Sequence, residues 1–151
     1  MIKTILLKVS FIVLLFTSGT SLSFAQVSKP FLQSNPWKED QLIAPATLAN
    51  MINKKEDVGV YNIGVVQNIK GATNVGAASD AENLEKLKEI LKTVPKNKSI
   101  VIYCGCCPMG KCPNIRPAFK ALVDQKFTNV HLLDLPTNIK IDWIDKGYPV
   151  E

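Results

Sequence analysis

The sequence predicts an α/β domain with a mostly parallel central sheet flanked by helices. Apolar runs of strand length, residues 58–63 (VGVYNI), 99–103 and 130–133, alternate with helical stretches. Two stripes at helical spacing mark those stretches, one through Leu84, Leu87, Ile90, Leu91 and Val94 and one through Ile115, Ala118, Phe119, Leu122 and Val123. The strand runs are continuous rather than alternating, as in strands covered on both faces, which favours parallel pairing with right-handed crossovers.

The elements follow in order. Leu48, Met51 and Ile52 predict a short amphipathic helix over 46–53, with Pro45 suited to its first turn. The strand 58–63 is followed by an extended, glycine-punctuated segment, 69–75. Ser79 and Glu82 read as a capping box at the start of the second helix, and Pro95 stops it. After the strand 99–103 and a loop, Asn114 reads as the N-cap of a third helix that tolerates Pro117 in its first turn. The strand 130–133, a last helix over 139–146 and a tail containing Gly147 and Pro149 complete the domain. Ligands of such sheets bind beyond the C-terminal strand ends, which points to residue 104.

Residues 1–25 read as a secretory signal peptide. Lys3 and Lys8 precede an apolar core, and Ser23-Phe24-Ala25 offers a small-residue cleavage site. That core is too short to span a bilayer comfortably, so no stable membrane insertion is expected after cleavage. The expected organisation is a leader (1–25), an arm (26–41) and one domain (42–151), exported to the periplasm or beyond. Lys and Arg number 18 against 13 acidic residues, for a formal charge of +5. The charge is spread along the chain rather than clustered, which argues against a nucleic-acid partner.

All 4 cysteines lie in one stretch, CGCCPMGKC, as Cys104, Cys106, Cys107 and Cys112. Cys104 ends a strand and faces the start of a helix, where backbone amides stabilise a thiolate. Cys107 and Cys112 each precede a proline, which presets an extended backbone. Three chemistries fit these thiols. Disulfides are one, and Cys104–Cys107 with Cys106–Cys112 is the least strained pairing. A metal site of all four thiols is another, for zinc or copper, with copper favoured by ligand softness. Thiol–disulfide exchange through Cys104-x-x-Cys107 is the third. His131, Asp134, Asp142 and Asp145 read as packed or surface groups, and Trp37 and Trp143 as packing residues.

From residue 42 to the end the chain resembles the rhodanese-like family. The resemblance rests on VGVYNI, on Ile69-Lys70-Gly71-Ala72, on the strand ending in Cys104, on Lys126-Phe127-Thr128-Asn129-Val130, and on Trp143 followed by Gly147-Tyr148-Pro149-Val150. It implies a rhodanese-like three-layer fold and a sulfurtransferase of the thiosulfate type. Cys104 would carry sulfane sulfur as a persulfide, without a cofactor, between a small anionic donor and a thiol acceptor. Cys106, Cys107 and Cys112 would then be resolving or redox thiols, and Lys111 and Arg116 cations for the donor. The chain departs from the family pattern at Asn62 and Gly64, which stand where it has an Asp-x-Arg pair, at Asn68, where it has a histidine, and at Lys70, where it has a proline. Its active loop is also longer and richer in cysteine. The competing class is a non-catalytic module that uses the same loop to bind a soft metal or form disulfides.

Overall fold

A computed structural model describes residues 35–151. The leader and the first part of the arm lie outside the described residues. Among the described residues no helix is long and apolar enough to cross a membrane.

The elements are β1 (Leu42–Ile43), α1 (Pro45–Asn53), β2 (Val58–Asn62), β3 (Thr73–Asn74), α2 (Ala81–Lys92), β4 (Ser99–Tyr103), α3 (Ile115–Asp124), β5 (Val130–Leu133) and α4 (Ile139–Asp142). They form a sheet of order β1-β5-β4-β2-β3 in which every neighbouring pair is parallel. The central strand, β4, pairs with β2 from Val58↔Ser99 to Asn62↔Tyr103 and with β5 through Ile100↔Val130 to Ile102↔Leu132.

Side-chain alternation along β4 builds the layers. Ile100 and Ile102 point to one face, where Leu87 and Leu91 of α2 and Ile115, Phe119 and Leu122 of α3 cover them. Val101 and Tyr103 point to the other, covered by Leu48 of α1, Ile139 of α4 and Trp143. Cys104 continues the period of two and falls on the α2/α3 face. Register therefore decides which layer receives the thiol.

Several expectations are corrected in detail. Asp80, not Ser79, caps α2, its carboxylate accepting from Glu82 N–H at 3.1 Å. The last helix is broken: α4 ends at Asp142, and a 3₁₀ turn over Ile144–Lys146 runs into Gly147 in the left-handed region. The arm ends in a short 3₁₀ turn, Glu39–Gln41, and the domain opens with β1, an edge strand of two residues, too short to leave a period in the sequence. Trp37 is buried edge-on against Phe119, with ring centroids 5.9 Å apart, and pins the arm to α3.

Candidate functional site

Cys104 follows the last residue of β4 and is 2% exposed. The chain then turns through Gly105, whose φ of +70° suits glycine and whose added Cβ would meet the Ile139 Cβ at 2.7 Å. The Gly105 carbonyl accepts from Ile139 N–H at 2.9 Å, tying the loop to the start of α4. A 3₁₀ turn, Met109–Lys111, follows, and Cys112 N–H closes it on the Met109 carbonyl at 3.1 Å. The turn brings Cys112, fully buried, back against Cys104.

The Sγ atoms of Cys104, Cys106 and Cys112 all lie within 4.8 Å of one another. Cys106 Sγ is 3.1 Å from Cys104 Sγ and 3.4 Å from Cys107 Sγ, so Cys107 joins the cluster only through Cys106. All four cysteines are free thiols. Proximity thus selects Cys104 with Cys106 and Cys112, rather than the pairing of Cys104 with Cys107. A four-thiol set about one point is not assembled: the sulfurs that converge are those of Cys104, Cys106 and Cys112, and half-buried Cys107 is not among them.

Asn114 completes the site. Its Oδ1 accepts from Ser79 N–H at 2.8 Å, which turns its amide nitrogen toward Cys104 Sγ, 3.1 Å away. Asn114 makes no side-chain cap bond to α3 and has a helical backbone, contrary to the N-cap expectation. Its oxygen is already committed to the segment leading into α2.

These donors hold Cys104 as a thiolate. Its pKa is lowered to about 5, chiefly by the hydrogen bond from the Cys112 thiol; burial opposes this, and the Asn114 amide, the Cys106 N–H and the Cys106 thiol add to it. The neighbouring thiols move the other way. Burial and hydrogen bonding to the Cys104 sulfur push Cys106 up to about 12, and the bond to Cys104 together with burial pushes Cys112 up strongly. The shifts thus favour one thiolate, at Cys104, beside neighbouring thiols that stay protonated.

The opposite wall is Gly64. A Cβ there would stand 2.8 Å from Cys104 Sγ and 2.7 Å from its carbonyl oxygen. Asn62, fully buried, shapes this turn: its Oδ1 accepts from Gly64 N–H at 3.0 Å, and its Nδ2 donates to the Val66 carbonyl at 2.8 Å and to Asn68 Oδ1 at 2.9 Å. Asn68 in turn donates to Glu151 at 3.0 Å. Asn62, Gly64 and Asn68, which depart from the family pattern, form their own satisfied network, which holds a flat wall against the thiol. The sequence carried a signal for this in the neutral pair Asn62 and Asn68 and in the missing side chain at Gly64.

The two cations divide. Lys111 is exposed on the 3₁₀ turn of the loop. The Arg116 guanidinium donates to Asn35 Oδ1 at 2.8 Å and to the Gly110 carbonyl at 3.4 Å, and lies 5.5 Å from the Trp37 ring centroid. It fastens the loop to the arm instead of joining the thiols. His131 bonds Asn129 at 2.9 Å. Asp142 accepts from Thr137 and Asn138 N–H at 2.7 and 2.9 Å, and Asp145 pairs with Lys140 at 2.8 Å. Asp134 lines a concavity of about 290 Å³ with Pro45, Asp142, Lys146 and Tyr148, which contains no cysteine. Trp143 is fully buried and donates to the Pro149 carbonyl at 3.0 Å.

The chain matches no protein-family model and no curated protein sequence. Among solved structures it is similar to a crystal structure of thiosulfate sulfurtransferase from Pseudomonas aeruginosa. The TM-score is 0.53 at 14% sequence identity, over 73% of this chain and 20% of that one. The chain therefore spans about a fifth of that protein's length. With its parallel five-stranded sheet between two helical layers, the domain has a rhodanese-like α/β fold.

Proposed function

We propose that this protein is an exported sulfurtransferase that carries sulfane sulfur as a persulfide on Cys104. The observation that supports this most is the set of donors at the buried Cys104 sulfur, the Asn114 amide at 3.1 Å with the Cys112 thiol and the Cys106 N–H, which lower its pKa. The similar crystal structure is that of a thiosulfate sulfurtransferase, which agrees with that reading. In the first half-reaction the Cys104 thiolate attacks the outer sulfur of thiosulfate, the S–S bond breaks, and sulfite leaves with the bonding pair. The persulfide stays charged, and the same donors that stabilised the thiolate serve its terminal sulfur. In the second half-reaction an acceptor thiolate attacks that outer sulfur and returns Cys104 as a thiolate. Exposed Lys111 meets the donor's charge, and Cys106, at the solvent edge of the cluster, is the thiol that screens the persulfide from water.

Intact mass measured before and after incubation with thiosulfate tests the reading. One added sulfur atom that maps to Cys104, leaves on addition of an acceptor thiol and is absent in Cys104→Ser is the expected result. A chain that gains no sulfur while its thiols are reduced overturns it.

A further inference from the structure

We propose that Cys104, Cys106 and Cys112 also form a three-coordinate site for a soft monovalent metal ion, Cu(I). The three sulfurs already converge, all within 4.8 Å of one another. A metal bound to three thiolates at about 2.3 Å spaces its sulfurs by about 4 Å, so the cluster has the required span. The 3.1 Å approach of Cys106 to Cys104 opens by about an ångström, and the movement falls on Cys106, the exposed member.

The donor set selects the ion. It is all sulfur, and the polar group beside it, Asn114, turns its N–H side toward Cys104 because its oxygen is bound to Ser79. Asn114 thus supplies no fourth ligand. His131 and Asp142 are engaged with Asn129 and with the Thr137 and Asn138 amides. Three soft ligands without a fourth suit Cu(I), whereas structural zinc sites are closed by four. Two ligands are buried and preset by the loop while the third is exposed, so metal enters at Cys106 and is then drawn against Cys104 and Cys112. The charge balance involves no oxidation: Cu(I) binds the three sulfurs as thiolates, and every thiol proton among them is released to solvent. Binding occupies Cys104, so metal and sulfur donor exclude one another.

The test uses the full chain, reduced, under nitrogen, with no sulfur donor present. Cu(I) is titrated against a chromogenic Cu(I) chelator, and zinc is added in competition. One Cu(I) per chain, held against zinc, is expected. Cys106→Ser and Cys112→Ser each weaken binding about a hundredfold or more, and Cys107→Ser changes it by less than about threefold. Copper that stays with the chelator, displacement by zinc, or loss in Cys107→Ser equal to that in Cys106→Ser overturns the site. Cys106→Ser carries the test even where Cys112→Ser fails to fold, since Cys106 is exposed. Because no donor is present, the metal result and the persulfide result stand or fall separately.

Discussion

Asn114 presents its amide nitrogen to Cys104 Sγ at 3.1 Å because its amide oxygen is held by Ser79 N–H at 2.8 Å. The segment before α2 thereby sets the electrostatics of a cysteine at the end of β4. Asn114→Asp keeps the shape and the Ser79 bond but replaces a donor with a negative charge beside the sulfur. The Cys104 pKa then rises from about 5 toward the ordinary thiol value of 9.0. Thiolate absorbance and alkylation rate against pH measure this, and an unshifted titration would remove Asn114 from the role.

The same shift makes stability depend on pH. Cys104 ionises at about 5 in the folded protein and near 9.0 as an ordinary thiol, so between these values the unfolded chain binds a proton that the folded chain has released. Its contribution is complete above the unfolded value, declines as the pH drops, and is gone below the folded one. Cys106 and Cys112 oppose this at high pH, because their raised values keep them protonated when folded. Urea midpoints in reductant should rise from pH 5 to pH 8, and Cys104→Ser should flatten that slope. An equal slope in the variant would locate the dependence elsewhere.

Gly64→Ala tests the wall behind the thiol. The added methyl would stand 2.7 Å from a backbone oxygen and 2.8 Å from Cys104 Sγ, so β2 or the cysteine loop must move. A loss of about 1–3 kcal/mol is expected, as for overpacking of a filled site. Chemical denaturation gives the loss, and alkylation should show Cys104 displaced from its donors.

Cys106→Ala tests access. Cys104 is 2% exposed and Cys106 Sγ lies 3.1 Å from its sulfur, so removing that sulfur opens the path from solvent. The Cys106 side chain contributes least of the groups that lower the Cys104 pKa, and its N–H remains, so the thiolate persists. Alkylation of Cys104 at neutral pH should accelerate severalfold. A slower reaction would mean that the Cys106 thiol activates Cys104 more than it covers it.

Trp37→Ala and Arg116→Ala separate the arm from the chemistry. Trp37 is 7% exposed against Phe119, and its loss should cost about 3 kcal/mol, the lower end for a buried tryptophan. Arg116→Ala releases Asn35 and Gly110 together and should speed proteolysis of the loop. The KM for thiosulfate should rise in Lys111→Ala with little change in stability. A rise in Arg116→Ala alone would reverse these roles.

Much of the fold was legible because its signals are local. Pro45 opens α1, the stripe through Leu87 and Leu91 faces the sheet, and the uninterrupted run before Cys104 is the central parallel strand. Edge strand β1 was not legible: two residues have no periodicity, and their pairing with Leu132 and Leu133 is made across the whole chain. The capping roles of Ser79 and Asn114 were misread for a related reason. Each is a plausible local cap, yet the Asn114 oxygen is taken by Ser79 N–H across 35 residues, a long-range contact that displaces its local one, while at α2 the neighbouring Asp80 takes the cap instead of Ser79.

By itself the sequence determined the α/β class and placed Cys104 at the C-terminal end of the middle strand, since hydrophobic period and strand length are written in neighbouring residues. It also collected four thiols in one loop. Only the tertiary structure decided which of them meet. The 3₁₀ turn at Met109–Lys111 returns Cys112 to Cys104 and leaves Cys107 outside, while Gly64 and Asn114 arrive from other segments to form the wall and the donor. Thiolate stabilisation depends on distances of about 3 Å, and those are set by packing between elements distant in the chain rather than by the order of residues along it.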